Sequence, residues 1–397
     1  MNRLLSNAAL VAAFFVWSCN ATKEEVLDTS IAKNWEFEIQ DSIQFDILGS
    51  PILADAEYGK VLLFDEINRE FILVNQKNGE LINRFSKKGD SPDNFGTKLT
   101  LPGFLDEEKI AIAGVPGIFV FNTQGELLHK HTHPELQSGS AFISLPGNSI
   151  QWINYQGKRQ VLFKSLRSHD SYQGKKEFYT RFRAIEITDP ETGTSREFIP
   201  FRPESRFLNG LGWGMPDYEP IYTTDSKEVF ISFAGEPIIH RYEISGDSII
   251  WKQSQDLELK DFGQIEGQPL ESIESLTFSI NIYQAAIWKI SLWKDKILVY
   301  YFAGLSTKEI EETRLLHEQG RREEGIALRK KQMEGKSMKL LILEKSTLTP
   351  INHLTLPDKV NTMGFALDGD NFYFQKEPNP DLEEDFIRLY RYQLFEK

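Results

Sequence analysis

The 397-residue chain contains one cysteine, Cys19, and no long hydrophobic run. A single cysteine excludes any disulfide within the chain. The most apolar stretch, residues 8–17, is shorter than the roughly 20 residues that a transmembrane helix needs. The sequence therefore predicts neither a disulfide-stapled scaffold nor a membrane-spanning helix.

Basic residues are outnumbered by acidic residues, and familiar catalytic motifs are absent from the sequence. The chain has 45 Lys and Arg against 58 Asp and Glu, for a net charge of −13. An acidic chain repels phosphate backbones, so we expect no nucleic-acid partner. The sequence contains no Gly-x-Ser-x-Gly, His-Glu-x-x-His, P-loop or EF-hand spacing. We therefore expect no cofactor, and any catalysis would need carboxylates gathered from distant segments.

The N-terminus carries the features of an export signal. Arg3 precedes the apolar run, whose length suits a signal-peptide core of ~7–15 residues. The end of the run, Ser18-Cys19, resembles the lipobox of bacterial lipoproteins, in which the cysteine thiol is acylated and becomes the first residue. We therefore expect a signal peptide over residues 1–18, a lipid on Cys19 that attaches the protein to a membrane, and a polar tether over 19–34. The alternative, a buried free thiol, has no nearby apolar sequence to bury it.

The residues after Cys19 indicate which membrane the lipoprotein would reach. Asn20 stands where lipoproteins retained at the inner membrane usually have aspartate, so the resemblance implies an outer-membrane lipoprotein of the cell envelope. The stretch 23–25, Lys-Glu-Glu, resembles a tag that sends some Bacteroidota lipoproteins to the cell surface. A solvated linker has the same composition, so periplasm-facing and surface-exposed positions both stay open.

A hairpin pattern repeats six times along the rest of the chain. In each copy a β-rich run follows a tight turn of the residues that short hairpin loops favour. The six runs are 61–64, 110–113, 150–153, 229–232, 297–300 and 372–375. The third follows the turn predicted at 146–149. Gly-Glu-Leu recurs at 79–81 and 125–127, a spacing close to the ~40–45 residues of a four-stranded propeller blade.

These repeats predict an all-β, six-bladed β-propeller with four-stranded blades, forming one domain over residues 35–397. The last copy has only three strands, and residues 35–39 have no partner nearby in sequence. We expect this N-terminal strand to complete the last blade and close the ring, which removes an unpaired edge. A β-sandwich or two smaller β domains are the alternatives.

The blade pattern and the loop 88–96 resemble the six-bladed β-propeller lipoproteins of Bacteroidota. Many of those proteins carry Gly-x-Gly-Pro-x-x-(Phe/Gly) after the first blade. Gly89, Pro92 and Phe95 match this loop, while Asp90-Ser91 replaces the second glycine. The family is largely without assigned function, so the resemblance implies a fold and a location but no chemistry. Asp90 and Asn94 of this loop are candidate ligand-binding residues.

Three long segments are predicted on one face of the ring, and long loops are often functional. The segment 157–181 and its flank have a net excess of six positive charges, from Lys158, Arg159, Lys164, Arg167, Lys175, Lys176, Arg181 and Arg183 against Asp170 and Glu177. The segment 200–220 and its flank combine arginine with aromatic residues: Arg202, Arg206, Phe207, Trp213, Tyr218 and Tyr222. Together they suggest an anionic or carbohydrate ligand. A solvated loop and an aromatic plug are the alternatives.

The third segment, 303–336, reads as a charged helical insertion in blade five, because opposite charges recur at i,i+4. Gly320 and Gly325 are expected to break it in two. A contact with an envelope protein and a solvated excursion are the two alternatives for this insertion.

His129, His131 and His133 alternate on one predicted strand without a neighbouring carboxylate, so we expect no metal site there.

Two functions remain open. The first is a non-enzymatic, lipid-anchored module of the cell envelope that binds a ligand or partner. The second is an envelope glycan hydrolase or lyase whose carboxylates converge on the predicted ligand face. Carboxylates with perturbed pKa at the central pocket would favour the second.

Overall fold

A computed structural model describes residues 35–47, 49–135, 149–165, 167–273, 283–334, 336–378 and 384–397. The predicted signal peptide, Cys19 and the tether lie outside the described residues, as do residues 146–148 of a predicted turn. Six four-stranded antiparallel sheets follow one another and form a ring. The predicted six-bladed propeller is confirmed.

The strands run in chain order through the blades. After β1 (Trp35–Phe45), blade one comprises β2 (Ile52–Glu57), β3 (Lys60–Asp65), β4 (Glu70–Asn75) and β5 (Leu81–Ser86). Blade two comprises β6 (Gly103–Phe104), β7 (Lys109–Gly114), β8 (Gly117–Asn122) and β9 (Leu127–His131). Blade three comprises β10 (Gln151–Tyr155), β11 (Lys158–Lys164), β12 (Ile185–Thr188) and β13 (Ser195–Phe198).

The second half continues the plan. A two-stranded sheet of β14 (Leu211–Gly212) and β19 (Gln268–Pro269) flanks blade four, which comprises β15 (Pro220–Thr224), β16 (Glu228–Phe233), β17 (Glu236–Ser245) and β18 (Ser248–Asp256). Blade five comprises β20 (Ala286–Trp293), β21 (Lys296–Phe302), β22 (Lys339–Glu344) and β23 (Pro350–Thr355). Blade six comprises β24 (Val360–Asp368), β25 (Asn371–Lys376) and β26 (Ile387–Glu396), with β1 as its fourth strand.

The N-terminal strand closes the ring as predicted. β1 pairs antiparallel with β26 from Trp35 opposite Glu396 to Phe45 opposite Ile387. The strand extends six residues beyond the predicted 35–39 and bulges near Asp41. Phe37 fixes it in place through edge-to-face contacts with Phe372 and Phe374, at centroid distances of 5.3 and 5.7 Å.

The core lies between the blades rather than in one central mass. Six clusters of buried apolar side chains each join two neighbouring blades. Middle strands such as β3 and β4 are buried on both faces, so their sequences are continuous apolar runs. The outer strand β5 has no fully buried residue, and its sequence mixes apolar and polar residues without a continuous apolar run. This difference explains why the middle strands are the clearest repeats in the sequence.

Blade three corrects the predicted strand order. The run at 150–153 was predicted as the second strand after a turn, but β10 is the first strand of its blade. The hairpin turn is Gln156-Gly157, with φ of 52° and 71°. Lys158, Arg159 and Lys164 therefore belong to β11. The loop between the second and third strands begins only after Lys164, so the predicted segment 157–181 was eight residues too long at its start.

Among the described residues, the α-helices that lie between the strands are α1 (Lys176–Arg181), α2 (Met215–Tyr218), α3 (Thr307–Glu318) and α4 (Arg322–Met333). The last two form the predicted insertion. Gly320, with φ of 74°, separates them. Gly325 does not break the helix: it lies within α4, where a Cβ would collide with the His317 ring. Its role is close helix packing.

Candidate functional site

A pocket of about 470 Å³ lies on the axis of the ring, and all six blades line it. Its walls come from the first strand of each blade and the residues next to those strands. The lining residues are Asp55, Glu57, Phe104, Ser149, Ile150, Gln151, Trp152, Thr223, Thr224, Asp225, Ser226, Lys289, Ile290, Ser291, Leu292 and Leu367. We call it the axial pocket.

Two β-bulges aim charged side chains into this pocket. The pairing of β2 with β3 shifts between Leu53 and Asp55, and that of β20 with β21 shifts between Ile287 and Lys289. A bulge inserts one extra residue and re-aims the side chain that follows it. Each strand thereby presents a charged group, Asp55 or Lys289, to the axis from a mostly apolar sequence.

Asp55 is tightly held at the wall of the pocket. Its Oδ2 accepts a hydrogen bond from the Phe104 backbone N–H at 2.9 Å, and its Oδ1 accepts one from the Ala56 N–H at 2.8 Å. Burial nevertheless raises the pKa of this carboxyl, because desolvation outweighs the two hydrogen bonds and the charge of Lys289.

Glu57 and Lys289 titrate near neutrality. Burial, reinforced by the nearby charge of Asp55, raises the pKa of Glu57 to about 7. Burial lowers the pKa of Lys289 to about 8, although Asp55 acts in the opposite direction. The Lys289 ammonium donates a hydrogen bond to the Phe365 carbonyl at 2.6 Å and lies 5.0 Å from the centre of the Phe365 ring. The axial pocket thus contains a carboxyl and an amine that both exchange protons near neutral pH.

An arginine and an aromatic pair lie beside the axial pocket. The Arg159 guanidinium stacks over the Trp152 ring at 4.1 Å. The same guanidinium donates a hydrogen bond to the Tyr58 hydroxyl at 3.3 Å. The Tyr58 ring packs edge-to-face on Phe104 at 6.1 Å. These contacts connect blades one, two and three around the rim.

A second cavity of about 340 Å³ lies between blades two and three, and we call it the interblade groove. It is lined by Leu105, Asp106, Lys109, Val120, His129, Trp152, Lys158, Arg159, Gln160, Val161, Asp189, Pro190 and Glu191. Its charges are largely paired with each other. Lys109 lies 3.3 Å from Asp106, and Lys158 lies 3.6 Å from Asp189.

Both cavities lie toward the same end of the ring. Glu57 ends β2, just before the Tyr58-Gly59 turn, and Lys158 begins β11, just after Gln156-Gly157. Connections within an antiparallel blade alternate between its two ends, so the long loops after β11 and β13 lie at the opposite end. The carboxylates therefore converge at the end away from the predicted ligand face.

The two predicted aromatic candidates, Trp213 and Tyr218, lie in the core between blades three and four, each 3% exposed. The Trp213 backbone N–H donates to the Tyr179 hydroxyl at 2.7 Å, and Gln173 donates to the Tyr218 hydroxyl at 2.6 Å. Both side chains hold the loop 199–219 onto the blades. This is the aromatic plug left open by the sequence.

The four predicted arginines lie on the expected face, and each contacts its own chain. Arg202 stacks over Trp251 at 4.1 Å, and Arg206 stacks over Trp213 at 4.5 Å. Arg206 also donates to the Gly235 carbonyl at 3.2 Å. Arg181 donates to the His169 carbonyl at 3.1 Å, and Arg183 donates to the Phe182 carbonyl at 2.7 Å. None of the four lines the axial pocket or the interblade groove.

The loop candidates and the histidines are also apart from the axis. Asn94 accepts a hydrogen bond from Arg69 at 3.0 Å and so shapes its loop, whereas Asp90 is exposed. His131 contacts the Pro190 carbonyl at 2.6 Å, and His133 contacts the Gly114 carbonyl at 2.8 Å. Within the described ranges, no three His, Cys, Asp or Glu side chains are grouped to hold a metal ion.

Sequence reasoning missed the residues that define the axial pocket. A weak signal exists: Asp55 and Lys289 are charged residues in the interior of first strands that are otherwise mostly apolar. The bulges that expose them to the axis leave no mark in the sequence.

No protein-family model matches the sequence, and no curated protein matches it either. Among solved structures, a member of the DUF4221 family from Bacteroides vulgatus is similar, with a TM-score of 0.62, 14% identity, and coverage of 92% of this chain and 100% of that one. A protein from Bacteroides fragilis described as exported is also similar, with a TM-score of 0.52, 12% identity, and coverage of 91% and 95%. These similarities show the fold, and at that level they confirm the predicted resemblance to propellers of Bacteroidota.

Proposed function

We propose that the protein is a lipid-anchored binding module of the cell envelope that holds an uncharged, hydroxyl-rich ligand, such as a glycan unit, in the axial pocket. The observation that carries this proposal is the convergence of all six blades on one pocket of about 470 Å³. That volume lies within the ~300–1,000 Å³ of pockets that enclose small ligands.

The charges of the pocket favour an uncharged ligand. Asp225 forms an ion pair with Lys345, and Lys289 offsets the charge of Asp55. Glu57 is partly protonated at neutral pH because its pKa is raised to about 7. An added ionic group would therefore lack an unopposed counter-charge. Hydroxyl and amide groups at Gln151, Thr223 and Ser291, beside the apolar surfaces of Phe104 and Trp152, suit the polar edges and apolar faces of a sugar.

A glycan array on the purified full-length chain tests this ligand class. We expect binding to at least one neutral glycan and a loss of ten-fold or more in Lys289→Met, because Lys289 lines the pocket. Lys294→Met, an exposed lysine of the same blade, is the matched control. Circular dichroism must show that both variants fold.

The same array tests an anionic ligand on the opposite face. Under that alternative, acidic glycans would bind, Arg202→Ala and Arg206→Ala would weaken binding, and Lys289→Met would leave it unchanged. That pattern would overturn the axial site. An envelope protein partner would instead leave every glycan unbound.

The proposal of a lipid anchor rests on residues 1–19. Within the described ranges, no helix is long and apolar enough to cross a membrane. The similar Bacteroides fragilis protein is described as exported, which supports a location outside the cytoplasm. Wild-type protein should stay in the membrane fraction after an alkaline carbonate wash, whereas Cys19→Ala should be released. Retention of the variant would contradict the anchor.

A second candidate function, glycan hydrolysis or elimination, is favoured by one observation. Glu57 and Lys289 have pKa values of about 7 and about 8 and line the same pocket as Asp55. Such groups can exchange protons at neutral pH. Mass spectrometry of a bound glycan after prolonged incubation separates the two functions, because a binding module returns the glycan intact.

A further inference from the structure

The axial pocket and the interblade groove share one wall. Trp152 is the residue common to both linings. Residues near Trp152 line one cavity or the other: Phe104 and Gln151 line the axial pocket, whereas Leu105 and Val161 line the interblade groove. The two cavities are therefore adjacent and lie toward the same end of the ring.

From this adjacency we propose that the ligand is an oligosaccharide whose chain runs from the axial pocket over Trp152 into the interblade groove. This inference rests on the proposed function, since it names a longer form of the same ligand. Each cavity alone has the volume of a small-ligand pocket, and a chain that occupies both uses surface that a single sugar leaves uncovered.

The groove has the chemistry that such a chain needs. Its paired charges, Lys109 with Asp106 and Lys158 with Asp189, leave it without a dominant sign. Apolar side chains of Leu105, Val120 and Val161 form part of its wall. An uncharged chain therefore meets apolar surface and polar groups in both cavities.

Arg159 marks the crossing point between the cavities. Its guanidinium lies over the Trp152 ring at 4.1 Å and donates a hydrogen bond to the Tyr58 hydroxyl at 3.3 Å. A planar group with five N–H donors beside an indole offers hydrogen bonds to the hydroxyls of a sugar that passes over it.

Chain length provides the test. Neutral oligosaccharides of one to six units, taken from the repeat that binds on the array, are titrated against the full-length protein. We expect affinity to rise at least ten-fold between one and three units and then to level off as the groove fills. Two independent ligand sites would instead bind two short sugars without a gain from linking them.

A blocking variant and its control locate the effect. Glu191 is exposed at the rim of the groove, and Glu191→Trp should weaken the longer chains at least ten-fold while it leaves the single sugar unchanged. Glu108→Trp, at an exposed turn that lines neither cavity, is the matched control and should change neither. Melting curves of both variants must match the wild type.

The outcomes separate this inference from the function it rests on. Affinity that is independent of chain length, with no effect of Glu191→Trp, overturns the extended site and leaves a single sugar in the axial pocket. Absence of binding to every neutral glycan overturns both. Equal losses in Glu191→Trp and Glu108→Trp overturn the placement of the chain in the groove.

Discussion

The combined contribution of Glu57 and Lys289 to the stability of the fold should be smallest near neutral pH. The pKa of Glu57 is raised from 4.5 to about 7, so the folded protein keeps a proton that the unfolded chain releases between these values. The stability that Glu57 contributes is therefore present below pH 4.5 and lost as the pH rises to about 7. The pKa of Lys289 is lowered from 10.5 to about 8, so its contribution is present above 10.5 and lost as the pH falls to about 8.

The magnitudes follow from the size of each pKa shift. One pKa unit corresponds to ~1.4 kcal/mol, so the Lys289 shift corresponds to about 3 kcal/mol between pH 8 and 10.5. Glu57 retains accessible surface in the axial pocket, and water screens its interactions. We therefore expect about 2 kcal/mol for Glu57 between pH 4.5 and 7, less than its shift alone implies.

Urea unfolding, followed by tryptophan fluorescence from pH 4.5 to 10.5, measures both effects. Glu57→Gln cannot titrate, so we expect it to lose about 2 kcal/mol less than wild type between pH 4.5 and 7. Lys289→Met should lack the gain above pH 8. Glu80→Gln, at an exposed turn of blade one, controls for the removal of one negative charge. If the stability of Glu57→Gln fell with pH between 4.5 and 7 as steeply as that of the wild type, the raised pKa of Glu57 would be refuted.

Three further predictions concern the fold. Phe37→Ala should destabilise the protein by ~2–3 kcal/mol in urea unfolding, because it removes the aromatic contacts that hold β1 in blade six. Ile39→Ala, whose side chain is 54% exposed on the same strand, should cost less than ~0.5 kcal/mol. Equal costs would contradict the role of Phe37 in holding the closing strand. Lys164→Met should lower the free energy of unfolding by ~3–5 kcal/mol, because it removes the 2.8 Å ion pair between the buried side chains of Lys164 and Glu219. Lys158→Met removes the more exposed pair with Asp189 and should lower it by less than ~1 kcal/mol. An unchanged stability of Lys164→Met would show that the buried pair is not needed for the fold. Deleting residues 306–335 should preserve the far-UV circular dichroism signal of the sheets and lower the melting temperature by no more than ~5 °C. The reason is that Tyr301 and Lys339, at the two ends of the insertion, are paired in adjacent strands. A larger fall in melting temperature would show that α3 and α4 stabilise the blades.

The architecture was predictable from sequence because its signals are local. Middle strands such as β3 are buried on both faces and read as apolar runs, and the turns between strands carry residues that tolerate positive φ. Ring closure was predictable by elimination, since residues 35–39 had no neighbouring partner. Blade three shows the limit of local signals: the run 150–153 was predicted as the second strand of its blade, but it is the first strand and precedes the Gln156-Gly157 turn. That error assigned Lys158 and Arg159 to a loop at the opposite end of the ring.

The candidate site depends on tertiary structure for a different reason. Trp213, Tyr218 and Arg206 have the composition of a binding loop, but packing between blades three and four holds them against their own chain. Composition does not distinguish an aromatic plug from an aromatic binding surface, because both need the same side chains. Only burial separates the two.

The sequence by itself determined the number of blades, the order of most strands and the closing partner, because hydrophobic runs and turn residues act over a few positions. The tertiary structure alone decided where a ligand can bind. Asp55 and Lys289 are 234 positions apart in sequence, and two β-bulges and the closure of the ring bring them to the same pocket. No local sequence pattern encodes this proximity of Asp55 and Lys289, because their proximity depends on the curvature of the whole ring.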